Sequence, residues 1–166
     1  FNHQYGDIFQ MPKAKILDSS AKVPGVDGEK MSKSYNNTLE LFEDPKAQRK
    51  KIMRITTDSR PMEDSKEPES DHLYQLFSLV STDAAREEMA ALYRQGGFGY
   101  GEVKKALAEA AENYFAPARA AREEWAAAPD RVDQVLGDGA AVARKAAKEV
   151  LQRASEACGT ARSGSK

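Results

Sequence analysis

The helical periodicity of the alanine-rich second half is the feature that most restricts how this chain can fold. From Gly101 to about Ala128, the residues Val103, Leu107, Ala110, Ala111, Tyr114, Ala118, Ala121 and Trp125 recur at helical intervals and trace one stripe. Pro117 lies inside that stripe and removes one backbone donor, which predicts a kink or break there. Pro129 and Asp130 start a short helix through Leu136, and Gly137 ends it. A final helix then takes Val142, Ala146, Val150, Leu151 and Ala154 to the core and stops at Gly159. Small alanines let helices approach closely, so a compact antiparallel bundle is expected, with Tyr114, Phe115 and Trp125 as core residues rather than base-stacking platforms.

The first part reads differently. Residues 1 to about 41 are irregular and extended, with Ala14–Leu17 and Ala21–Val23 as short strands and Pro24 ending the second. Asp44 is a good N-cap with Pro45 at the first helical position, so a helix runs from there to about Ile55. The segment 58–70, rich in Ser, Pro, Glu and Asp, reads as a mobile linker. Beyond it His72, Leu73, Leu76, Phe77 and Val80 share one helical face. Thr82 or Asp83 caps a further helix containing Ala85, Met89 and Leu92, which Gly96-Gly97 stops. Residues 160–166 read as a disordered tail.

Composition narrows the class. With 40% hydrophobic and 31% charged residues the 166-residue chain is globular, and no apolar run approaches the length of a membrane span. One cysteine, Cys158, forms no internal disulfide; this suits a reducing cytoplasm, and its place among alanines reads as a small packed side chain. His3 and His72 have no cysteine or carboxylate at ligand spacing, so no metal site is predicted. A net charge of −1 argues against an indiscriminate nucleic-acid binder. Its distribution is uneven, however. Lys46, Arg49, Lys50, Lys51, Arg54 and Arg60 form a basic stretch, either a solvated helix face or a surface for the phosphates of a nucleic acid or a nucleotide.

The chemistry concentrates in Lys30-Met31-Ser32-Lys33-Ser34, delivered by the loop Val23-Pro24-Gly25-Val26-Asp27-Gly28-Glu29. Lysine acts on phosphate as a point charge with three donors, and serine adds neutral donors. Gly25 and Gly28 permit backbone conformations that let the lysines swing onto a ligand. The pattern fits a movable cationic clamp for polyphosphate; the bland alternative is a solvated Lys/Ser loop with no ligand. Few contacts are expected for residues 24–34, which should make them a mobile segment.

That pentapeptide resembles the second (KMSKS) signature of class I aminoacyl-tRNA synthetases. Its flanks, Pro24-Gly25-x-Asp27-Gly28 before and Tyr35-Asn36-Asn37-Thr38 after, are most similar to the bacterial tryptophanyl branch. Phe1-Asn2-His3-Gln4-Tyr5-Gly6-Asp7-Ile8-Phe9, Leu41-Phe42-Glu43-Asp44-Pro45-Lys46, Lys50-Lys51-Ile52, Thr57-Asp58-Ser59 and Gly97-Phe98-Gly99-Tyr100-Gly101 continue the resemblance. No His-x-Gly-His signature and no tryptophan-recognition segment occur, so the resemblance implies the C-terminal part of a synthetase without its N-terminal catalytic half.

On this resemblance the fold is mainly α. Residues 1–41 are a short extended remnant of a Rossmann domain carrying the KMSKS loop, 42–159 a helical anticodon-binding domain and 160–166 a tail. It implies that tryptophan's carboxylate attacks the α-phosphate of ATP, giving an adenylate and pyrophosphate, and that tRNA(Trp) then accepts the acyl group. Lys30 and Lys33 would stabilise charge growing on the leaving pyrophosphate, and Ser32 and Ser34 would bond phosphate oxygens. Met31 would present its backbone to the adenine, Val23 would line the nucleotide site, and Mg²⁺ would arrive with ATP. The parent would be a cytoplasmic homodimer, and the fragment alone inactive. A tyrosyl or other class I synthetase fragment, or a non-catalytic helical RNA- or protein-binding module, remains the alternative.

Overall fold

A computed structural model describes residues 1–17 and 21–161. Its secondary structure is mainly helical: α1 (Asn2–Tyr5), α2 (Pro45–Ile52), α3 (His72–Val80), α4 (Asp83–Gln95), α5 (Tyr100–Ala126) and α6 (Pro129–Ala157). Single 3₁₀ turns occur at Lys33–Tyr35 and Pro68–Ser70. The expected strands are not formed among the described residues, where the sole bridge pairs Pro24 with Lys30 in antiparallel fashion. Residues 14–17 lie exposed and unpaired, since a short extended segment without a neighbouring strand leaves its backbone to water.

Local chemistry sets the helix starts. The Asp44 carboxylate accepts from the Lys46 and Ala47 amides at 3.1 and 3.0 Å, and Pro45 supplies the preset φ of the first turn. Asp71 caps α3 by accepting from Leu73 and Tyr74, and the Thr82 hydroxyl caps α4 by accepting from Ala85 at 3.3 Å. Gly96, at φ 75°, ends α4.

The chain divides into two compact units, residues 16–121 and residues 1–15 with 122–166. In the first, Ile52 and Ile55 pack with Leu73, Leu76 and Phe77 of α3, Tyr93 of α4, Phe98, and Val103, Leu107 and Ala108 of α5. Val23, Val26, Met31 and Leu39 join that cluster from the lysine-bearing loop. Of the buried polar residues, Asp71 and Lys66 adjoin its aromatic members. Asp71 accepts a bond from the Tyr93 hydroxyl at 3.1 Å, and burial together with that carboxylate pushes the phenol far above its ordinary value.

The second buried polar group overturns the mobile-linker expectation for 58–70. Lys66 is 3% exposed; its ammonium donates to the carbonyls of Pro61 and Asp64, each at 3.0 Å, and lies 4.7 Å from the Phe98 ring centroid. Its amide also donates to Tyr93 at 2.8 Å. A segment of turn-forming composition is thereby ordered around one lysine.

In the other unit, Phe1 packs against Tyr5 and Phe9, and the Asn2 side chain closes this turn by bonding the Phe9 amide and carbonyl. Two expectations fail in the C-terminal helices and a third is narrowed. Of the kink or break expected at Pro117 the break does not occur, since α5 continues through it, and α6 runs unbroken through Gly137 and Gly139. The good helix formers that follow, among them Ala140, Ala141, Ala143, Ala146 and Ala147, outweigh the roughly 1 kcal/mol that each glycine costs a helix. Finally, Tyr114 is 59%, Val142 73% and Leu151 65% exposed, and Trp125 is also exposed; of the final-helix set only Ala154 is buried. An apolar stripe is buried only where another element lies against it, and periodicity cannot show that. Cys158 is half-buried, within reach of the Ser155 carbonyl and the Thr160 hydroxyl. The tail expectation for residues 162–166 lies outside the described residues.

Candidate functional site

The lysine-bearing loop is a miniature hairpin. The Met31 amide donates to the Val23 carbonyl at 2.8 Å and the Gly25 amide to the Glu29 carbonyl at 2.7 Å, which pairs the two arms. Asp27 stands at the tip, where its carboxylate accepts from the Glu29 amide at 3.0 Å and from the Asn37 side-chain amide at 2.8 Å. The Asn37 bond is the main reason its pKa falls below the ordinary 3.8. Gly28 turns the chain at φ 85°, and a side chain there would come within 3.2 Å of the His72 ring. His72 in turn bonds the Thr56 carbonyl at 2.7 Å, and the Thr56 amide donates to Val26 at 3.0 Å.

The expectation of few contacts along 24–34 is therefore wrong for the base and turn of this loop. Hydrogen bonds at residues 23, 25, 26, 27, 28, 31 and 32 hold them in place. What is free are side chains. Lys30 and Lys33 are exposed, and neither has an ion-pair partner among the described residues. Ser32 is extended; Lys33, Ser34 and Tyr35 then form one 3₁₀ turn that ends at Asn36 in the left-handed region, φ 53°. The Ser32 and Ser34 hydroxyls lie 2.8 Å apart and bond each other. The motif thus brings Lys30, Ser32, Lys33 and Ser34 onto one short stretch with two exposed cations and two hydroxyls.

Val23 and Met31 have a second role. Both pack against the core and line an apolar cavity of about 340 Å³ with Leu39, Leu41, Ile52, Leu76 and Leu107. The Met31 N–H is engaged by Val23, so its carbonyl is the backbone group left for a ligand. A smaller polar pocket of about 240 Å³ lies beside the loop, lined by Val26, Asn36, Thr38, Lys51 and Arg54. It joins two members of the basic stretch to the loop. Lys51 is paired with Glu43 at 2.8 Å, and Arg60 with Asp58. Burial alone would raise the Asp58 carboxyl, but bonds from Arg60 and the Tyr100 hydroxyl take it below its ordinary value.

Asn37 is the residue whose role the sequence did not reveal. It is 2% exposed and bonds Asp27, Ser32 and the Lys30 carbonyl. The available signal was an asparagine flanking a lysine motif, which by itself is indistinguishable from a turn residue. Among the described residues no group of three or more His, Cys, Asp or Glu side chains is placed to hold a metal, and no helix is long and apolar enough to cross a membrane.

Comparison with known proteins matches this chain to one family. The model describing "tRNA synthetases class I (W and Y)" matches residues 1–116. A tryptophan–tRNA ligase of Rhodopirellula baltica is 60% identical over 159 residues, covering 96% of this chain and 50% of the relative. One of Fusobacterium nucleatum is 41% identical over 160 residues, covering 96% and 49%. The crystal structure of Campylobacter jejuni tryptophanyl-tRNA synthetase complexed with ADP and tryptophan superposes with a TM-score of 0.76 at 37% identity. That match covers 95% of this chain and 50% of the solved one. The chain spans about half the length of the curated relatives it matches. It belongs to the class I tRNA synthetases of the tryptophan and tyrosine group.

Proposed function

We propose that this chain is the C-terminal part of a tryptophan–tRNA ligase and supplies its phosphate clamp. The observation that carries the reading is a hairpin with fastened backbone whose Lys30 and Lys33 side chains have no ion-pair partner among the described residues. A fixed backbone with unneutralised cations is what stabilisation of a growing negative charge requires. The names of the relatives favour tryptophan over tyrosine.

In the parent enzyme, tryptophan's carboxylate oxygen attacks the α-phosphorus of ATP. A new P–O bond forms as the bond to the β-phosphate bridge breaks, and pyrophosphate leaves with the electron pair. The ribose hydroxyl of tRNA(Trp) then attacks the adenylate carbonyl and AMP departs. Lys30 and Lys33 neutralise the pyrophosphate, and Ser32 and Ser34 donate to phosphate oxygens once their mutual bond is exchanged for the ligand. The Met31 carbonyl faces the adenine and Val23 lines the nucleotide site. Mg²⁺ would arrive with ATP rather than on a carboxylate site of the described residues. Residues 1–41 would be the end of the catalytic domain and 42–159 the helices that hold the anticodon end, in a cytoplasmic homodimer.

Tryptophan-dependent ATP–pyrophosphate exchange tests this. The 166-residue chain alone should be inactive, since the groups that stabilise this transition state act as a unit. The same chain joined to an N-terminal half from a tryptophanyl relative should exchange, and should lose that activity on Lys33→Ala. Exchange unaffected by Lys33→Ala would overturn the reading.

A further inference from the structure

The loop carrying the two lysines is closed by a side chain that follows them in sequence. Asn37 uses both ends of its amide. Its oxygen accepts from the Ser32 amide at 2.7 Å, and its nitrogen donates to Asp27 at 2.8 Å and to the Lys30 carbonyl at 3.2 Å. Its own backbone carbonyl accepts from the Val26 amide at 3.0 Å. The side chain therefore grips the backbone of Lys30, the residue before Lys33 and the tip of the turn together.

Few replacements can do this. An apolar side chain would leave the part-buried Ser32 N–H and Lys30 carbonyl without this partner, while a carboxylate would offer no donor and would face Asp27 with like charge. The turn is shaped around the amide as well. A Cβ at Gly25 would lie 2.5 Å from Asn37 Cγ and 2.7 Å from its carbonyl oxygen, too close for any side chain without movement. His72 closes the other side, against Gly28 and bonded to Thr56.

We propose that Asn37 is the positioning residue of the lysine clamp, holding Lys30 and Lys33 in one preorganised arrangement for a phosphate chain. The inference rests on the phosphate-clamp reading above. Its physical content is that a loop ordered in advance does not have to be ordered by the ligand, so binding keeps the free energy that ordering would consume.

The test titrates inorganic pyrophosphate into the isotope-labelled 166-residue chain and follows backbone amides by NMR. Wild type should show saturable shifts at Lys30–Ser34 that Lys33→Ala abolishes. Asn37→Ala should weaken binding on the order of tenfold, with the amides of Leu73, Tyr93 and Val103 unmoved. Asn37→Asp should be at least as damaging, because two carboxylates then meet. Adding Asp27→Asn to that variant removes the like-charge pair but still leaves the Lys30 carbonyl without its donor, so only the part of the loss due to charge repulsion should return. That partial recovery, with the core amides unmoved throughout, is what a loss of the fold would not give. If wild type shows no saturable shift, the clamp reading falls and the positioning role with it. If wild type binds and Asn37→Ala binds equally well, the clamp stands and the positioning role is wrong.

Discussion

Two loops of the unit spanning residues 16–121 are each built around one buried polar side chain, and they treat lysine in opposite ways. Between residues 61 and 66 the ammonium of Lys66 is the keystone: backbone carbonyls surround it, an aromatic ring flanks it, and no charge is left for a ligand. Between residues 23 and 37 the keystone is the neutral amide of Asn37, and Lys30 and Lys33 remain in solvent. A cation that satisfies its own loop is structural. A loop satisfied by an amide can spare its cations, and that difference rather than lysine content is what supports the second loop as the proposed site.

Truncating the two kinds of lysine should break the comparison if it is wrong. In a full-length enzyme carrying this segment, Lys33→Ala should slow adenylate formation on the order of a hundred- to a thousandfold, because charge on the pyrophosphate grows in the transition state. Stability should hardly change. Pre-steady-state adenylate formation beside urea denaturation reads both; a change confined to ATP affinity would make the clamp a binding device only. Lys66→Ala should show the reverse, a loss of about 3 kcal/mol in urea midpoint analysis from abandoned carbonyls and a lost cation–π contact, with the pyrophosphate response of Lys30–Ser34 retained.

Gly25→Ala sharpens the amide-centred side of the contrast. The added methyl must displace Asn37, so a cost of about 1–3 kcal/mol is expected together with altered Ser32 and Lys30 amide shifts. Unchanged shifts would mean that the loop is not packed on the amide. A smaller effect concerns pH. The Asp27 carboxyl titrates below its ordinary 3.8 in the folded loop, chiefly because of the Asn37 bond. Its fastening is therefore complete above about pH 4 and is lost as pH falls through the lowered value. Carbon-detected titration of Asp27 in wild type and Asn37→Ala should show the lowered midpoint moving up in the variant. Lys15→Ala, outside both loops, should be nearly silent in every one of these assays.

Much of the helical framework was legible because it depends on neighbours in sequence. Asp44-Pro45, Thr82 and Gly96-Gly97 act within one turn of the chain, and the apolar spacing His72–Val80 is realised in α3. A break at Pro117 and a stop at Gly137 were misread for the same reason. Local rules say that a helix weakens there, but Arg119 bonds the Glu112 carbonyl, the Leu41 carbonyl and the Gln48 side chain, bracing the helix around the proline from residues far away in sequence. The exposure of Val142 and Leu151 was likewise invisible, since periodicity identifies a face without saying what covers it.

Residue identity alone determined which chemistry was on offer: two lysines and two hydroxyls in a Gly-containing loop are residue types suited to phosphate. Only the tertiary structure decided which lysines are available for it. Whether an ammonium faces solvent or a ring of carbonyls depends on how its own turn is folded and on what packs against that turn. For Lys66 those carbonyls come from its own turn, held in place by Tyr93 and Phe98, and for Lys30 the equivalent work is done by an asparagine seven residues later. Satisfying every buried polar group is a condition on the folded whole, and no window of sequence contains it.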